Sequence, residues 1–575
     1  MSYPDWVVLI VTLAAIIFYG VYKSRTTRNL DGYFLSNREM PWYMVLFSIM
    51  GTQASAITFL SAPGQAYTDG MRFVQYYFGL PLAMIVLCIT FVPIFHNKRL
   101  YTAYEFLEKR FDLKTRTLTS FLFLLQRGLS TGISIYAPAL ILSSLLGWNI
   151  YWTNIFMGGL LIIYTVAGGA KSVAYTQQLQ LVIIFTSMFI AGYLVVKYLP
   201  EGVGLFDALK MGGALGKTNV ITTGIKEGGG FDWSDKYNIW SGVIGGFFLA
   251  LSYFGADQSQ VGRYLTAKSN KESRIGLLMN GLVKVPMQFM ILMLGVLIFA
   301  FYQYNNAPLF FNQTQVQKVS ETKYAGTLSQ IQSEYDTVEL QKKKLMQSIM
   351  AAGTPDIAAE NRVELIRINQ QRDSLRTAFK GLVNKPEVGG DANDANYIFL
   401  RFVLDYLPKG LIGLLIAVIF ISSWGSIAAA LNSLASSTIV DIHKKFINKN
   451  LDESGDYRVS RWYSLAWGIF CIVVAQFAYN LGNSLIEAVN ILGSLFYGVI
   501  LGVFLLAFYS KPVQGNAVFW GAILGEILVI SLFALNENNV INLSFLWLNA
   551  IGAFAVVALG WILQPILYRN PRIIR

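Results

Sequence analysis

Long apolar stretches alternate with short polar loops along the whole chain. A helix that crosses a bilayer needs about 20 mostly apolar residues, and thirteen stretches approach or exceed this length. They cover residues 5–22, 42–60, 73–95, 117–146, 150–167, 176–198, 238–262, 276–302, 399–440, 461–480, 484–508, 515–535 and 543–566. The pattern therefore predicts an all-α, polytopic membrane protein with about thirteen transmembrane helices. The alternative, one very large buried core, does not explain so many separate segments.

The longest hydrophilic stretch, residues 303–398, separates the eighth and ninth predicted spans. Within it, residues 325–351 and 357–380 carry apolar side chains at helical spacing, with a Gly-Thr-Pro sequence at 353–355 between them. These features predict an extracytoplasmic helical hairpin. It is either a structural cap or a surface that contacts a partner protein. The other long outer loop, residues 199–237, is rich in glycine and predicts no clear element.

Composition and charge agree with a membrane protein. Only 14% of the 575 residues are charged, against about 25% in an average soluble protein. The net charge is +12, and Lys and Arg concentrate in the loops after spans one, three, seven, nine and thirteen. By the positive-inside rule these loops are cytoplasmic, which puts the N-terminus outside and the C-terminus inside a plasma (inner) membrane. Because topology explains the basic charge, we expect no nucleic-acid partner.

The residues that would serve an enzyme or a transition-metal site are sparse. Cys88 and Cys471 lie inside apolar spans and are typical of small core residues. The two histidines, His96 and His443, lie at span ends. With no nucleophile–base pair and no metal-ligand cluster in the spans, we do not expect an enzyme.

Two spans are interrupted by glycine, small polar residues and proline. They contain residues 51–64 of span two and residues 252–260 of span seven. Irregular backbone is tolerated in a membrane only beside a cavity or inside protein. These two spans are five spans apart in the chain and therefore enter the membrane from opposite sides. This arrangement is expected of an inverted repeat with two broken helices. Their unwound carbonyls suit a hard cation and their helix N-termini suit anionic groups. Close helix packing through small residues is the alternative.

A third polar seam lies in span nine, at residues 422–433. Ser422 and Ser426 are one helical turn apart and share a face, so their oxygens are suitable sodium ligands; helix packing is again the alternative. Ionisable residues within spans are costly and indicate function or charge pairing. The candidates of this kind are Arg127, Asp257, Lys284 and Glu487.

Several motifs in order along the chain resemble the sodium/solute symporter family, which includes sodium–glucose transporters and bacterial sialic-acid transporters. The resemblance covers nearly all of the chain except the outer hairpin. The motifs that show the resemblance are SAITFL at 55–60 through Pro63 to Tyr67, TAYEFLEKRFD at 102–112, GGAKSV at 168–173 with Tyr175, Thr176 and Gln180, Gln258 with Arg263, and LNS at 431–433 with Asp441 and Ile442.

The resemblance implies a leucine-transporter-like core of five plus five helices, with one helix before it and two after. On this basis the chain divides into five parts. They are an extra helix and cytoplasmic loop (1–41), the first repeat and the start of the second (42–302), the hairpin insertion (303–398), the rest of the second repeat (399–510), and two C-terminal helices with a short cytoplasmic tail (511–575).

The resemblance also implies sodium as the coupling ion, bound between spans two and nine. The matching ligands are the carbonyls of Gly51, Ala54 and Ser422 and the side chain of Ser426. The family usually has a second hydroxyl just before that serine, where this chain has Gly425. Members that bind an extra sodium carry an aspartate in span six, where this chain has Gln177, so a single sodium is expected.

The substrate positions transfer only in part. Ser55, Thr58 and Phe73 match substrate positions of the sialic-acid relatives. Those relatives also have an arginine that pairs with the substrate carboxylate, and this chain has Ser130 at that position. Arg127, one turn earlier, either replaces that arginine or pairs elsewhere. The sugar-binding bacterial relative binds its sugar with a Glu-Gln pair in span two and a Glu in span three. This chain has Ile57, Thr58 and Tyr77 at those positions, so a hexose should not bind in the same way. Further candidates are Gln53, the gate tyrosine Tyr253, Asn490 in span eleven and, outside these motifs, Asp257 and Lys284.

Together these features predict sodium-coupled symport of a small organic solute by alternating access. A carboxylate or sugar acid, such as a sialic acid, is favoured because span two resembles the sialate carriers and Arg127 is near. A neutral sugar or polyol is the alternative. A transporter-derived sensor is a different class, which a cytoplasmic signalling domain would indicate; only about nine residues follow the last span.

Overall fold

The computed structural model describes residues 1–23, 30–226, 228–351, 359–449, 453–478 and 484–568. The described part is built of α-helices joined by turns and loops. Those of the first half are α1 (Tyr3–Lys23), α2 (Leu30–Leu35), α3 (Trp42–Gln53), α4 (Ala56–Asp69), α5 (Leu80–Ile89), α6 (Phe91–Asn97), α7 (Glu105–Arg110), α8 (Leu113–Leu146), α9 (Ile150–Lys197), α10 (Leu205–Ala214), α11 (Gly246–Ala256) and α12 (Gln258–Tyr264).

The second half begins with one long helix and continues through the insertion at 303–398. Its α-helices are α13 (Asn270–Tyr304), α14 (Gln313–Ser320), α15 (Ala325–Ala351), α16 (Ala359–Val383), α17 (Ala395–Tyr406), α18 (Leu411–Ser437), α19 (Glu453–Gln476), α20 (Leu485–Tyr509), α21 (Gly515–Glu537) and α22 (Phe545–Leu567). A 3-10 helix, Met71–Tyr77, precedes α5, and π-helical turns, Ser241–Gly245 and Thr438–Ile447, precede α11 and extend α18.

The apolar helices follow the predicted spans. Eight described helices are long and apolar enough to cross a bilayer, or nine if the bent pair α3–α4 is one span. Tyr3–Tyr19, Ile150–Ile163 and Ser241–Ala256 are shorter apolar helices. The predicted span ten begins inside α19, which ends at Gln476, and its last two residues lie outside the described part. The predicted all-α, multi-pass architecture is therefore confirmed.

The structure differs from the predicted boundaries in two places. Predicted spans five and six lie in one uninterrupted helical run, α9, whose 48 residues exceed what one crossing needs. Predicted span nine divides into α17 and α18, because Pro408 lacks an amide proton and Gly410 takes a left-handed φ of +90° that suits glycine.

The long helices begin at side chains that satisfy their free amide groups. Asp112 accepts a hydrogen bond from the Thr115 amide at the start of α8 (2.8 Å). Ser269 accepts one from the Glu272 amide at the start of α13 (3.3 Å). The first amides of a helix lack partners within it, so such caps fix where each span begins.

The insertion contains two long helices, α15 and α16, that pack side by side. Their contact buries charge, since Arg372 reaches the Glu339 carboxylate (2.6 Å) and lies over the Tyr335 ring. Lys342 also binds Glu339 (2.7 Å) and donates to the Tyr302 carbonyl at the end of α13 (2.6 Å). The predicted turn at 353–355 lies outside the described residues. In the glycine-rich loop, where no element was predicted, the chain forms α10.

A second buried ion pair ties the insertion to α17. The Arg376 guanidinium donates to both carboxylate oxygens of Asp394 (2.9 and 2.7 Å) and to the Leu309 carbonyl (3.1 Å). The Phe311 amide also donates to Asp394 (2.9 Å). Asp394 immediately precedes α17, and Asn396 in its first turn accepts from Ser61 of α4 (2.7 Å). The insertion is thus linked through α17 to the first broken span.

We expect Arg376→Ala to loosen the insertion. The pair is nearly buried (10% and 2% exposed side chains), and removing one partner of such a pair typically costs about 3–5 kcal/mol. Hydrogen exchange of α15 and α16 should therefore speed up strongly. Arg367→Ala is the matched control on the same helix, because its pair with Glu364 is exposed and contributes about 0–1 kcal/mol. Equal effects of the two variants would contradict the expectation.

Candidate functional site

The first broken span bends by 61° between α3 and α4. Ala54 and Ser55 leave helical geometry there, with ψ of 79° and 176°. A helix end leaves its last carbonyls and first amides without helical partners. The break therefore presents carbonyls of α3 and the N-terminus of α4 inside the bundle, as the sequence predicts.

The second broken span is interrupted between α11 and α12. Asp257 is extended there (φ −78°, ψ 116°), and its carboxylate accepts from the Ser259 amide (2.7 Å). The two breaks thus differ in chemistry, since an acidic side chain occupies the second. Asp257 itself is buried (1% exposed).

A polar cavity lies between the two broken spans. It has a volume of about 130 Å³. Helices α3, α4, α8, α11, α18 and α20 and the 3-10 helix Met71–Tyr77 contribute to its wall. Eight predicted substrate residues line it: Gln53, Ser55, Thr58, Tyr77, Arg127, Ser130, Tyr253 and Asn490.

Phe73, the ninth predicted substrate residue, is not among the residues that line the cavity, and its contact with substrate stays a prediction. Its ring is fully buried (0% exposed) and stacks on the ring of Tyr76, which does line the cavity. The 3-10 turn that precedes α5 places residues three apart on one side, and Tyr76 takes the inner position. Phe73 supports Tyr76 from behind.

Arg127 supplies the positive charge of the cavity wall. Its Nη2 contacts the Asp257 carboxylate and the Tyr497 hydroxyl (3.2 Å). Tyr497 in turn donates to Asp257 (2.7 Å), and the guanidinium lies 5.3 Å from the centre of the Tyr253 ring. The arginine therefore pairs with the second broken span, while its Nε is buried without a partner among the described residues.

Amide side chains complete the polar wall. The Tyr76 hydroxyl donates to the Asn490 side-chain oxygen (3.1 Å), which joins the 3-10 helix to α20. Asn490 Nδ2, Gln53 Oε1 and Gln126 Oε1 are buried without partners among the described residues. Buried polar groups are normally hydrogen-bonded, so these atoms are available to a polar ligand.

The predicted sodium residues lie where α3 and α18 meet. Ser426 reaches the cavity wall, and its hydroxyl donates to the Ser423 carbonyl (3.0 Å). The Ser422 hydroxyl donates to the Ile419 carbonyl (2.9 Å), so it is oriented along its own helix. Gly51 and Ala54 are in the last turn of α3 and at its break.

Gln177 of α9 fills the space behind these residues. Its Nε2 donates to Thr52 Oγ1 (3.2 Å) and to the Gly425 carbonyl (3.1 Å), and its Oε1 accepts from Ser48 (3.1 Å). A Cβ on Gly51 would lie only 2.7 Å from that of Gln177. The amide therefore ties α9 to α3 and α18, the two helices that carry the predicted sodium ligands.

The next turn of α18 offers no hydroxyl. Ala428 and Ala429 pack on Val173 of α9 in a small apolar cluster. A Cβ on Gly425 would lie 2.5 Å from Gln180 Oε1. The region behind Ser426 is thus closed by an apolar cluster and by buried amides.

The two remaining ionisable candidates lie outside the cavity wall. The Lys284 ammonium is buried 5.6 Å from the centre of the Tyr77 ring and has no hydrogen-bond partner among the described residues. Glu487 pairs with Lys236 of the glycine-rich loop 199–237. Structural pairing therefore explains Glu487, whereas Lys284 adjoins the cavity from behind Tyr77.

Sequence reasoning did not single out Tyr76, Gln126 or Tyr497, which also line the cavity. Tyr76 follows Phe73 by three residues, and Gln126 directly precedes Arg127. These residues could have been found by their helical spacing from the predicted site residues. Tyr497 lies seven residues after Asn490, two turns along the same face of α20.

A multi-pass helical bundle with a polar cavity between two broken spans defines a membrane transporter. A model of the Sodium:solute symporter family matches residues 33–352 and 377–525. The chain therefore belongs to the sodium:solute symporter family. It is a transporter rather than an enzyme, and Na⁺ is its coupling ion.

Individual relatives align over most of the chain. The Sodium/sialic acid symporter NanT of Aliivibrio fischeri is 26% identical over 570 residues, which cover 98% of this chain and 94% of that protein. The Sodium/glucose cotransporter of Vibrio parahaemolyticus is 25% identical, with 92% and 84% covered. A solved structure of a Na⁺-coupled sialic acid symporter, in a substrate-bound outward-open state, matches over both whole chains (TM-score 0.75, 22% identity). This structural likeness shows the shared fold.

Proposed function

We propose that the protein couples the entry of one Na⁺ to the uptake of a small organic anion, either a carboxylate or a sugar acid. The observation that carries the substrate class is the charge of the cavity wall. Among its described residues, Arg127 is charged and every other one is neutral. A cavity with one cationic group and no carboxylate in its wall favours anionic over cationic solutes.

The unused donors of Arg127 support this proposal. Asp257 and Tyr497 engage Nη2, while Nε is buried without a partner. A carboxylate that accepts from Nε would form a charge-assisted hydrogen bond. Ser55 and Thr58, at the N-terminus of α4, lie in the same wall, where the helix dipole also favours negative charge.

The size of the cavity favours small substrates among the carboxylates and sugar acids. Its volume of about 130 Å³ is below the roughly 300–1,000 Å³ of sites for drug-sized ligands. A short carboxylate fits this conformation better than a nine-carbon sialic acid, for which the cavity would have to widen. The sialic-acid symporter relative nevertheless supports a sugar acid as the larger candidate.

The position of the single sodium follows from the break in α3–α4. The carbonyls of Gly51, Ala54 and Ser422 and the hydroxyl of Ser426 are the proposed ligands. Sodium there would order the broken helix that also presents Ser55 and Thr58. Ion and substrate are then coupled because each prefers the conformation that the other stabilises.

A neutral sugar or polyol remains the second candidate. Asp257 compensates the Arg127 charge, and most of the polar wall consists of hydroxyl and amide groups such as Tyr76 and Asn490. The Sodium/glucose cotransporter relative supports this class. An anion is favoured because the unpartnered atoms of the wall include a guanidinium nitrogen.

Orientation and the outer insertion complete the proposal. The basic loops place the N-terminus outside and the C-terminus in the cytoplasm. The insertion then lies outside, where its buried ion pair with Asp394 supports a role as a structural cap. Contact with a partner protein is the alternative role.

Uptake by purified protein in proteoliposomes tests the proposal. Labelled pyruvate, N-acetylneuraminate and glucose are offered with an inward sodium gradient or with choline in its place. We expect sodium-dependent uptake of an acid. Uptake of glucose but neither acid would favour the second candidate, and uptake independent of sodium would contradict the coupling.

A variant pair locates the substrate. Thr58→Val removes a hydroxyl from the cavity wall, so the KM for the substrate should rise ~10-fold, as for a lost hydrogen bond of about 1.4 kcal/mol. Thr119→Val is the control, since Thr119 is buried in α8 and its hydroxyl donates to its own helix (2.8 Å). Equal KM values in the two variants would place the substrate elsewhere.

A further inference from the structure

A second polar pocket, here the Arg38 pocket, lies at the end of the bundle opposite the outer insertion. Its volume is about 550 Å³. Four segments form it: α2, the turn between α2 and α3, the end of α6 with the residues that follow, and the α12–α13 connection. It is lined by Asp31, Asn37, Arg38, His96, Arg99, Tyr101, Ala267 and Lys268.

The Arg38 pocket carries an excess of positive charge. Arg38, Arg99 and Lys268 contribute three cations and Asp31 one carboxylate. Asp31 is itself engaged, since it accepts from the Tyr101 hydroxyl (3.0 Å) and lies 3.9 Å from the Arg38 guanidinium. Among the described residues, the Arg99 guanidinium has no carboxylate partner. Lys268 has only a 3.8 Å contact with Glu272.

The backbone around the Arg38 pocket is unusual. Five non-glycine residues of the described part have φ in the left-handed region, and four of them are Ser36, Asn37, Arg38 and Arg99. Such conformations are disfavoured for residues with a side chain and cluster where a ligand is held. Arg38 is fixed there by hydrogen bonds to the carbonyls of Arg99 (3.2 Å) and Leu100 (2.9 Å).

The Arg38 pocket also joins the two broken spans. Met40, just before α3, exchanges backbone hydrogen bonds with Thr266 (3.0 Å) and Lys268 (3.1 Å), just after α12. The Trp42 amide at the start of α3 contacts the Glu272 carboxylate. A ligand that binds Arg38 and Lys268 together would therefore hold α3 and α12 next to each other.

We propose that the Arg38 pocket binds a phosphate group, which belongs either to the headgroup of an anionic phospholipid or to a free phosphate. Phosphate oxygens accept charge-assisted hydrogen bonds from arginine and lysine, and basic pockets between cytoplasmic helix ends are suited to anionic headgroups. The bound group stabilises the contact between the start of α3 and the end of α12. The cytoplasmic location rests on the proposed orientation, whereas binding itself does not.

Thermal unfolding of the purified full-length protein tests this site. The probes are dioctanoyl phosphatidylglycerol, inorganic phosphate and, as the zwitterionic control, dioctanoyl phosphatidylcholine. We expect phosphatidylglycerol or phosphate to raise the Tm in a saturable way, with little effect of phosphatidylcholine. A shift with phosphatidylglycerol alone identifies a lipid headgroup, and equal shifts identify phosphate itself.

Variants that preserve the turn before α3 make the test specific. Arg99→Gln with Lys268→Gln removes two exposed cations, so the half-saturating probe concentration should rise ~10-fold or more, given about 1 kcal/mol for each basic residue near an anionic headgroup. Lys511→Gln removes an exposed charge between α20 and α21 and should leave it unchanged. No Tm shift in the wild type, or an equal shift in the double variant, would overturn the site. Because no substrate or sodium is needed, this result is independent of the uptake experiment.

Discussion

Ser426→Ala should raise the sodium concentration for half-maximal transport at least ~10-fold. Ser426 is the one proposed ligand that contributes a side-chain oxygen, because Gly425 has none and Ser422 contributes its carbonyl. The hydroxyl lies at the cavity wall, next to the break of α3. Losing a buried interaction of about 1.5–3 kcal/mol corresponds to roughly 10–150-fold in affinity. Substrate uptake at several sodium concentrations measures it.

Ser433→Ala provides the matched control for this prediction. Ser433 is also buried in α18, about two turns further along, and its hydroxyl donates to the Ala429 carbonyl (2.8 Å). Removing it takes away a similar group from the same helix without touching the proposed site. If both variants require the same sodium concentration as the wild type, the ion does not bind Ser426.

Asp257→Ala should abolish transport and destabilise the protein. The carboxylate pairs with Arg127 and accepts from Tyr497 (2.7 Å), and its removal leaves a cation in the membrane interior without a counter-charge. Breaking such a pair from one side typically costs about 3–5 kcal/mol. Thermal unfolding in detergent and sodium-driven uptake measure the two effects.

The double variant Arg127→Ala with Asp257→Ala separates charge from substrate binding. Removing both charges should restore part of the lost stability, because no unpaired charge remains. Uptake should stay absent, since the cationic group of the cavity is gone. Asp405→Ala is the control, because its pair with Arg401 is about one-third exposed and contributes about 0–1 kcal/mol. Normal uptake by the double variant would rule out Arg127 as a substrate ligand.

The apolar pattern was sufficient to predict the helical architecture, because lipid demands long runs that bury their own backbone hydrogen bonds. It could not predict where helices divide or join. Residues 168–175 are polar enough to suggest a loop, yet the helix of α9 continues through them. Pro408 and Gly410 divide predicted span nine into two helices. The apolar residues on either side made this stretch look like one continuous span in the sequence.

The cavity was predictable where local chemistry sufficed. Gly51 to Ser55 signal a broken helix by their own composition, and the break occurs there. Ion pairs across the bundle were not predictable from the sequence. The residues around Arg127 do not indicate that it pairs with Asp257, which is 130 residues away. Nor did the sequence indicate that the Phe73 ring stacks on Tyr76, three residues further along the 3-10 helix.

The apolar closure behind Ser426 has an electrical consequence. If one Na⁺ accompanies a monovalent anion, no net charge crosses the membrane in a transport cycle. The membrane potential then adds no driving force, and a tenfold sodium gradient (~1.4 kcal/mol) concentrates the anion about tenfold at most. A neutral solute would gain a further ~2.3 kcal/mol per 100 mV, or roughly 500-fold accumulation in total. Ala428, Ala429 and Gln177 favour a single Na⁺ per cycle, and with that stoichiometry the charge of the solute decides whether the carrier responds to voltage.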